Sequence, residues 1–380
     1  MAAAPWATAA YGFRGFVALY AISALAWFVV RRGIVSLRAA IAIAVVLRAM
    51  LLFAEPRLSG DVYRYLSDGR VLASGANPYE YTPADPRINH PEIRSIYPPH
   101  AQLLFAAFHQ LALWRLLLIA CDVAVLVSLR EWPHVLLAYA TFPPLIFEGA
   151  WSGHVEVVAA MLVVVAALRA SGVALAIAAG LKITPIAAVF TLPRRRLPAF
   201  LAVLAVPFAV FAMFGPVMPG FRDYATRWIF NSPAYSVIFP LVERVPLKDF
   251  WTSIKDPLHL EAISGFVYRH VYPDFITRAV LGVCALVAIW TNRRSPLRSI
   301  AALLIFSPAI HPWYWLVLVP LAMRERSAWL WVALAAPLSY LLYEGANAWM
   351  VFALCYGLPL GAALMTRAVA RRGLSAPLPT

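Results

Sequence analysis

Apolar stretches long enough to span about 30 Å of hydrocarbon recur from the N-terminal region of this chain to its C-terminal region. No other feature excludes so many folds. Apart from a closed barrel, helices are the only way to satisfy backbone polar groups where water is absent. Composition agrees: of 380 residues 62% are hydrophobic and 13% charged, with a mean hydropathy of +0.74, too apolar for a soluble domain of this size. The chain is therefore read as one all-α, polytopic membrane domain over residues 1–380. The stretch from Phe16 to Val30 lacks a following small-residue cleavage site and is read as a retained helix.

The net charge of +14 suggests nucleic acid only until the charges are placed. Sixteen arginines lie in short turns between apolar stretches, from Arg31, Arg32 and Arg38 through Arg194, Arg195 and Arg196 to Arg367, Arg371 and Arg372, with only Glu131 and Glu325 beside them. The two long polar segments, 55–112 and 218–275, instead carry eleven basic and twelve acidic residues. This is the positive-inside asymmetry, so both long loops are expected outside the cytoplasm, and nucleic acid is not expected as a partner. Cys121, Cys284 and Cys355 all lie in apolar stretches and read as buried thiols.

With the arginine turns inside, nine crossings are expected, near 13–31, 35–54, 113–130, 134–149, 153–170, 198–217, 276–292, 327–345 and 347–366, with the N-terminus outside. Two stretches, 172–193 and 297–323, begin and end beside arginines of the same side. Each is expected as a hairpin of short helices, broken at Lys182 to Pro185 and at His311-Pro312, where proline removes a donor and disfavours helix before it. Such breaks survive at membrane depth only inside protein or against a wet cavity. No internal repeat is evident. In the first long loop, residues 61–74 read as a short helix ending at Gly75, followed by six prolines between Ala76 and Pro99 in an extended run.

On a helix opening at Asp61, positions i, i+4 and i+7 share a face, which groups Asp61, Tyr65 and Asp68, with Arg64 beside them. The structural reading is that Asp61 caps the helix and Asp68 pairs with Arg64; the functional reading is a carboxylate pair at the membrane surface. Ionisable groups inside apolar stretches are costly unless paired, which marks Arg48, Arg115, Asp122, Glu148, His154, Glu156 and Lys182. Arg48, Arg115 and Asp122 are expected to neutralise one another. Lys182 is one of three lysines against 29 arginines and sits at a break, which suits either phosphate binding or a side chain snorkelling to water. His154 and His311 lack the spacing of a dedicated metal site and read as interior histidines or as ligands of sugar or phosphate. Trp313, Tyr314 and Trp315 also fit an interfacial aromatic belt.

Three blocks of the first loop go beyond generic patterns: Gly-Asp-Val-Tyr-Arg-Tyr-Leu-Ser-Asp-Gly-Arg at 60–70, Gly-Ala-Asn-Pro-Tyr at 75–79 and Tyr-Pro-Pro at 97–99. They resemble the first outer loop of C-type glycosyltransferases, and most nearly the bacterial polyprenyl-phosphate-mannose-dependent mannosyltransferases that build phosphatidylinositol mannosides and lipomannan. Gly153-His154-Val155-Glu156, Gly180 to Pro185 and His311-Pro312-Trp313-Tyr314 follow in that family's order. The resemblance implies a GT-C-like helical bundle with helices in its outer loops. It implies Asp61 as catalytic base and Asp68 as a supporting carboxylate, with a divalent cation the one cofactor left open. Arg64, Tyr65, Asn77, Tyr79, Tyr97, His154, Glu156, Lys182 and His311 are the implied substrate contacts. One departure stands out: members of that family commonly begin in the cytoplasm, whereas the crossing count puts this N-terminus outside.

The chemistry suits the location. No glycine-rich strand-to-helix motif is present to bind a nucleotide sugar, so the resemblance implies a polyprenyl-phosphate donor and a glycan or glycolipid acceptor, meeting on the extracytoplasmic side of a bacterial cell membrane. Displacement at the anomeric carbon needs a base, positive charge for the departing phosphate and a dry slot for lipid. One base without a covalent intermediate gives inversion, by analogy with glycosidases. The rivals are a transporter or flippase of lipid-linked sugars, a receptor or scaffold, and a C-type transferase of another sugar such as aminoarabinose.

Overall fold

The computed structural model describes residues 4–362 and 364. The arginines at 367, 371 and 372 lie outside the described residues. Helices α1 (Ala4–Val30) and α2 (Leu37–Ala49) lead into the first long loop, which holds α3 (Asp61–Ala73) and α4 (Pro99–Ala107). Next come α5 (Leu111–Ser128), α6 (Pro133–Ala140), α7 (Glu156–Arg169), α8 (Gly172–Leu181) and α9 (Leu197–Ala212). The second long loop folds as α10 (Phe221–Arg227), α11 (Pro233–Glu243), α12 (Leu247–Lys255) and α13 (Glu261–His270). The chain continues as α14 (Pro273–Thr291), α15 (Pro296–Ile305), α16 (Val319–Arg324), α17 (Trp329–Ala335) and α18 (Ala348–Phe352). Among the described residues there is no strand, only an isolated bridge between Phe230 and Ala309. The protein is an all-α, multi-pass membrane protein.

Four helices are long and apolar enough to cross a bilayer unbroken: Gly12–Val30, Leu111–Ser128, Arg194–Ala212 and Pro273–Thr291. That is fewer than the nine continuous crossings expected from hydropathy. The remaining apolar stretches are short helices joined to 3₁₀ or π turns, as at Leu145–Trp151, Thr184–Thr191, Pro312–Leu318 and Ala336–Glu344. Prolines at 185, 312, 320 and 337 explain several of these interruptions, because each removes a helical donor.

The bundle is pinned by buried arginines. Arg48 of α2 meets Asp122 of α5 at 2.5 Å and donates to the Ala140 carbonyl at the end of α6, while the Tyr139 hydroxyl donates to the same aspartate. Three elements are thereby tied at one paired charge, the condition under which burial is tolerable. Arg115 does not join this pair. Its guanidinium donates to the carbonyls of Leu51, Leu52 and Trp151 and so satisfies backbone oxygens where α2 has ended and the π turn stops.

Three breaks organise the interior. Helix α8 stops at Leu181 and Lys182 is extended; α15 stops at Ile305, and His311 is extended before the 3₁₀ turn Pro312–Leu318. Both fall where the prolines place them. The third, between the π turn Leu145–Trp151 and α7, bends the chain by 113° through Gly153, whose φ of +79° only glycine adopts without strain. All three breaks point inward. The phenylalanine at position 13 of α1, Asp61 of α3 and His311 line one cavity, so the start of the apolar part of α1 lies at the cavity end. Arg31 and Arg32 close its far end about 28 Å away at 1.5 Å per residue.

Helix α3 is seated through Gly69. A Cβ there would lie 2.2 Å from the Phe105 carbonyl oxygen of α4, a backbone atom that cannot swing aside. Gly69→Ala is therefore expected to push α3 off α4 and lower stability by about 1–3 kcal/mol, the usual cost of overpacking. Thermal unfolding in detergent checks this; an unchanged midpoint would mean that the two helices have room to separate.

Candidate active site

Asp61 is the first residue of α3, which has Gly60 at its cap position and no side-chain capping bond. The capping reading of Asp61 is thus not realised. Its carboxylate turns instead to the interior and accepts from the Tyr97 hydroxyl at 3.2 Å, while its own N–H donates to Ser59 Oγ. Tyr97 also reaches Tyr65 at 3.4 Å, and Tyr79 donates to the Tyr97 carbonyl at 2.8 Å. The proline-rich run of the first loop is therefore folded back so that one tyrosine, held from two sides, presents its hydroxyl to Asp61.

Asp61 sits in a cavity of about 780 Å³ and keeps 22% of its side chain exposed. Burial raises its carboxyl above the usual range, opposed by the charges of Lys182 and Arg64 and by the bonds from Tyr97 and Ser59. A carboxylate raised in this way is a better proton acceptor. The opposite wall comes from the second long loop, with Tyr224, Trp228 and Phe230, and from the break at His311, with Trp313 and Tyr314. The loop is stitched to the break: Phe230 N–H donates to the Pro308 carbonyl and Ile310 N–H to that of Phe230. Tyr224 and Tyr314 join through a very short hydroxyl pair.

Behind these walls the remaining breaks deliver charge. Lys182 Nζ is 2.8 Å from Glu156 Oε1 and 4.4 Å from the Tyr314 ring centre. His154 lies fully buried, its Nδ1 3.9 Å from Asp61 and its Nε2 3.5 Å from Glu148. The ring stacks on Trp313 at 4.0 Å, Trp313 stacks on His311 at 4.6 Å, and His311 stacks on Phe230 at 4.6 Å. Trp313, Tyr314 and Trp315 are all buried and so form no interfacial belt; the first two line the cavity, while Trp315 stacks on Trp329.

Of the residues marked in the sequence, Asp61, Arg64, Tyr97 and His311 line the cavity, and His154, Glu156 and Lys182 stand directly behind it. Arg64 is engaged by the carbonyls of Asn89, His90 and Ile93, so it braces the loop that forms the rim. Asn77 bonds Glu80 and the Phe214 carbonyl, away from Asp61. Asp68 makes no pair with Arg64; it is buried and accepts from Gln102 at 3.2 Å. Among the described residues no three His, Cys, Asp or Glu side chains gather as a metal site, and Asp68 is not among those lining the cavity. The residues present do not build a cation site around Asp61. Sequence reasoning left out of the site Tyr224, Trp228 and Phe230, which carry no charge and join it only through contacts across some 90 residues. Glu148 stood out only as a charge in an apolar stretch.

Residues 4–99 match the family described as Alpha-(1->6)-mannopyranosyltransferase, N-terminal domain, and residues 96–312 match Glycosyltransferase family 87. The chain belongs to glycosyltransferase family 87. The first match contains Asp61 and the second contains His154, Lys182 and His311, and they overlap at the Tyr-Pro-Pro block that supplies Tyr97. No curated protein and no solved structure matches the chain. The protein is an enzyme, a glycosyltransferase; its first quarter resembles a mannosyltransferase domain, and the resemblance read from the first loop stands.

Burial pushes the Asp68 carboxyl up to about 6 from an ordinary 3.8. Between those values the folded protein binds more protons than the unfolded chain, so stability falls as pH rises from about 4 to about 6 and the loss is complete above that. Asp68→Asn, which removes the charge, is expected to raise the unfolding midpoint at pH 8 by the equivalent of about 3 kcal/mol and to change it less at pH 5. A lower midpoint for the variant at pH 8 would show that the buried carboxylate is favourably paired.

Proposed function

We propose that this family 87 enzyme transfers mannose from a polyprenyl-phosphate donor to a hydroxyl of a glycan or glycolipid, on the extracytoplasmic side of the bacterial cell membrane. The observation that carries the reading is the placement of the Asp61 carboxylate: free of any capping role, held by Tyr97, and facing a cavity walled by aromatic rings. The acceptor oxygen attacks the anomeric carbon while Asp61 takes the hydroxyl proton. The bond from that carbon to the phosphate oxygen breaks, and polyprenyl phosphate leaves with the electron pair. A single carboxylate acting as base, without a covalent sugar–enzyme bond, inverts the anomeric centre.

Lys182 supports the same reading. Its ammonium is paired with Glu156 at the break of α8, within cation–π range of Tyr97 and Tyr314, both of which line the cavity. A cation held there can stabilise charge developing on the departing phosphate in a site of low dielectric. The aromatic walls suit the apolar faces of a pyranose ring. The charge asymmetry between arginine turns and long loops supports an extracytoplasmic site, where a lipid-linked sugar replaces a nucleotide sugar as donor.

Asp61→Asn keeps the size of the side chain and one oxygen able to accept from Tyr97, but cannot take a proton. In proteoliposomes supplied with polyprenyl-phosphate mannose and a membrane glycolipid extract, the variant is expected to lose about 100-fold or more in turnover while still binding donor. Near-normal formation of mannosylated product by a folded Asp61→Asn protein would remove Asp61 from the mechanism. Movement of donor lipid without any new glycosidic bond, by the unaltered protein, would favour a flippase.

A further inference from the structure

Glu148 has no place in the chemistry above, yet it is among the most expensive residues in the molecule. It lies in the π turn Leu145–Trp151, fully buried, and π turns inside helices are often retained for a functional side chain. Among the described residues no lysine or arginine pairs with it. Its Oε2 accepts from the Tyr340 hydroxyl at 3.1 Å and stands 3.5 Å from His154 Nε2. Its other oxygen makes no hydrogen bond to the protein, nor does either ring nitrogen of His154. A buried carboxyl without a cationic partner costs several kcal/mol and calls for a role.

The geometry supplies one. The imidazole of His154 lies between two carboxyl groups, Glu148 at Nε2 and Asp61 at Nδ1, 3.9 Å away. Its ring is clamped face-on against Trp313 with only 10° between planes, so the ring can turn only within that plane. Glu148 determines where it stops. An imidazole always has an N–H to offer, and the nitrogen that carries it is chosen by the partner at the other end. With one carboxyl group fixed at Nε2 by Tyr340, the Nδ1 edge is held toward Asp61.

We propose that Glu148 is a positioning residue for sugar transfer: acting through His154, it fixes the orientation of the Asp61 carboxylate toward the acceptor hydroxyl. The inference rests on Asp61 being the base. It places the support of that base in a membrane-embedded turn 87 residues along the chain from it, outside both long loops.

The test is a cycle of Glu148→Gln, Asp61→Asn and the double variant, assayed in proteoliposomes with polyprenyl-phosphate mannose and a membrane glycolipid extract. Glutamine keeps the shape and the bond to Tyr340 but removes the negative charge that faces the imidazole at Nε2. Glu148→Gln is expected to lower kcat by about 10- to 100-fold, the range that a misplaced catalytic group costs, with the KM for donor little changed. Added to Asp61→Asn it is expected to cost nothing more, because the group it orients is already gone. Losses that multiply in the double variant, a rise in KM without a fall in kcat, or full activity of Glu148→Gln would each overturn the proposal. Should Glu148→Gln fail to fold, His154→Gln carries the same cycle with the same expected outcomes. A fully active Asp61→Asn protein would contradict the base itself, whereas an inactive Asp61→Asn beside a fully active Glu148→Gln contradicts only the positioning role.

Discussion

Backbone that leaves the helix inside a membrane must be buried in protein or border a wet cavity, and that constraint gathers the candidate active site. Three segments of the chain break within apolar sequence, at Gly153, at Lys182 and at His311. None can face lipid without unsatisfied carbonyls and N–H groups, so all three turn inward toward the same polar pocket. The residues proposed for the chemistry ride on the breaks themselves: His154 and Glu156 beside the first, Lys182 in the second, His311 in the third. Asp61 arrives from another direction, on a short helix of the first long loop, and completes the cluster.

Charge is managed on the same principle but with different consequences in two places. Arg48 and Asp122 form an ion pair, with further bonds from the guanidinium to the Ala140 carbonyl and from the Tyr139 hydroxyl to the carboxylate, which makes them a strut between helices. Around Asp61 the account is less balanced, since Lys182 is shared among Glu156 and two tyrosine rings while Glu148 and His154 face each other with polar atoms to spare. Buried polar atoms without hydrogen-bond partners in the protein in this second cluster, on Glu148, His154 and Glu156, are available to a ligand.

Much of this was legible in the sequence, and for identifiable reasons. Helix α3 and its end near Gly75 follow from local signals, as do the breaks at Lys182 and His311, because proline acts within a residue or two of its position. Membership of a glycosyltransferase family was carried by the first-loop blocks. The count of crossings was not legible, since hydropathy registers apolar length and is blind to the 3₁₀ and π turns that divide it. The bond between Asp61 and Tyr97 spans 36 residues and that between Tyr224 and Tyr314 spans 90; pairings of this kind depend on the assembled bundle. Asp61 as a helix cap and Asp68 as the partner of Arg64 were sound local expectations, and tertiary partners, Tyr97 and Gln102, displaced both.

We propose that donor chemistry occurs in the cavity between Asp61 and Lys182. A structure of the protein with a non-transferable polyprenyl-phosphate mannose analogue bound would locate it. The anomeric carbon is expected inside the aromatic walls, its open face within reach of an acceptor oxygen bonded to Asp61, and the phosphate at Lys182. A phosphate held elsewhere, with the sugar out of reach of Asp61, would contradict it.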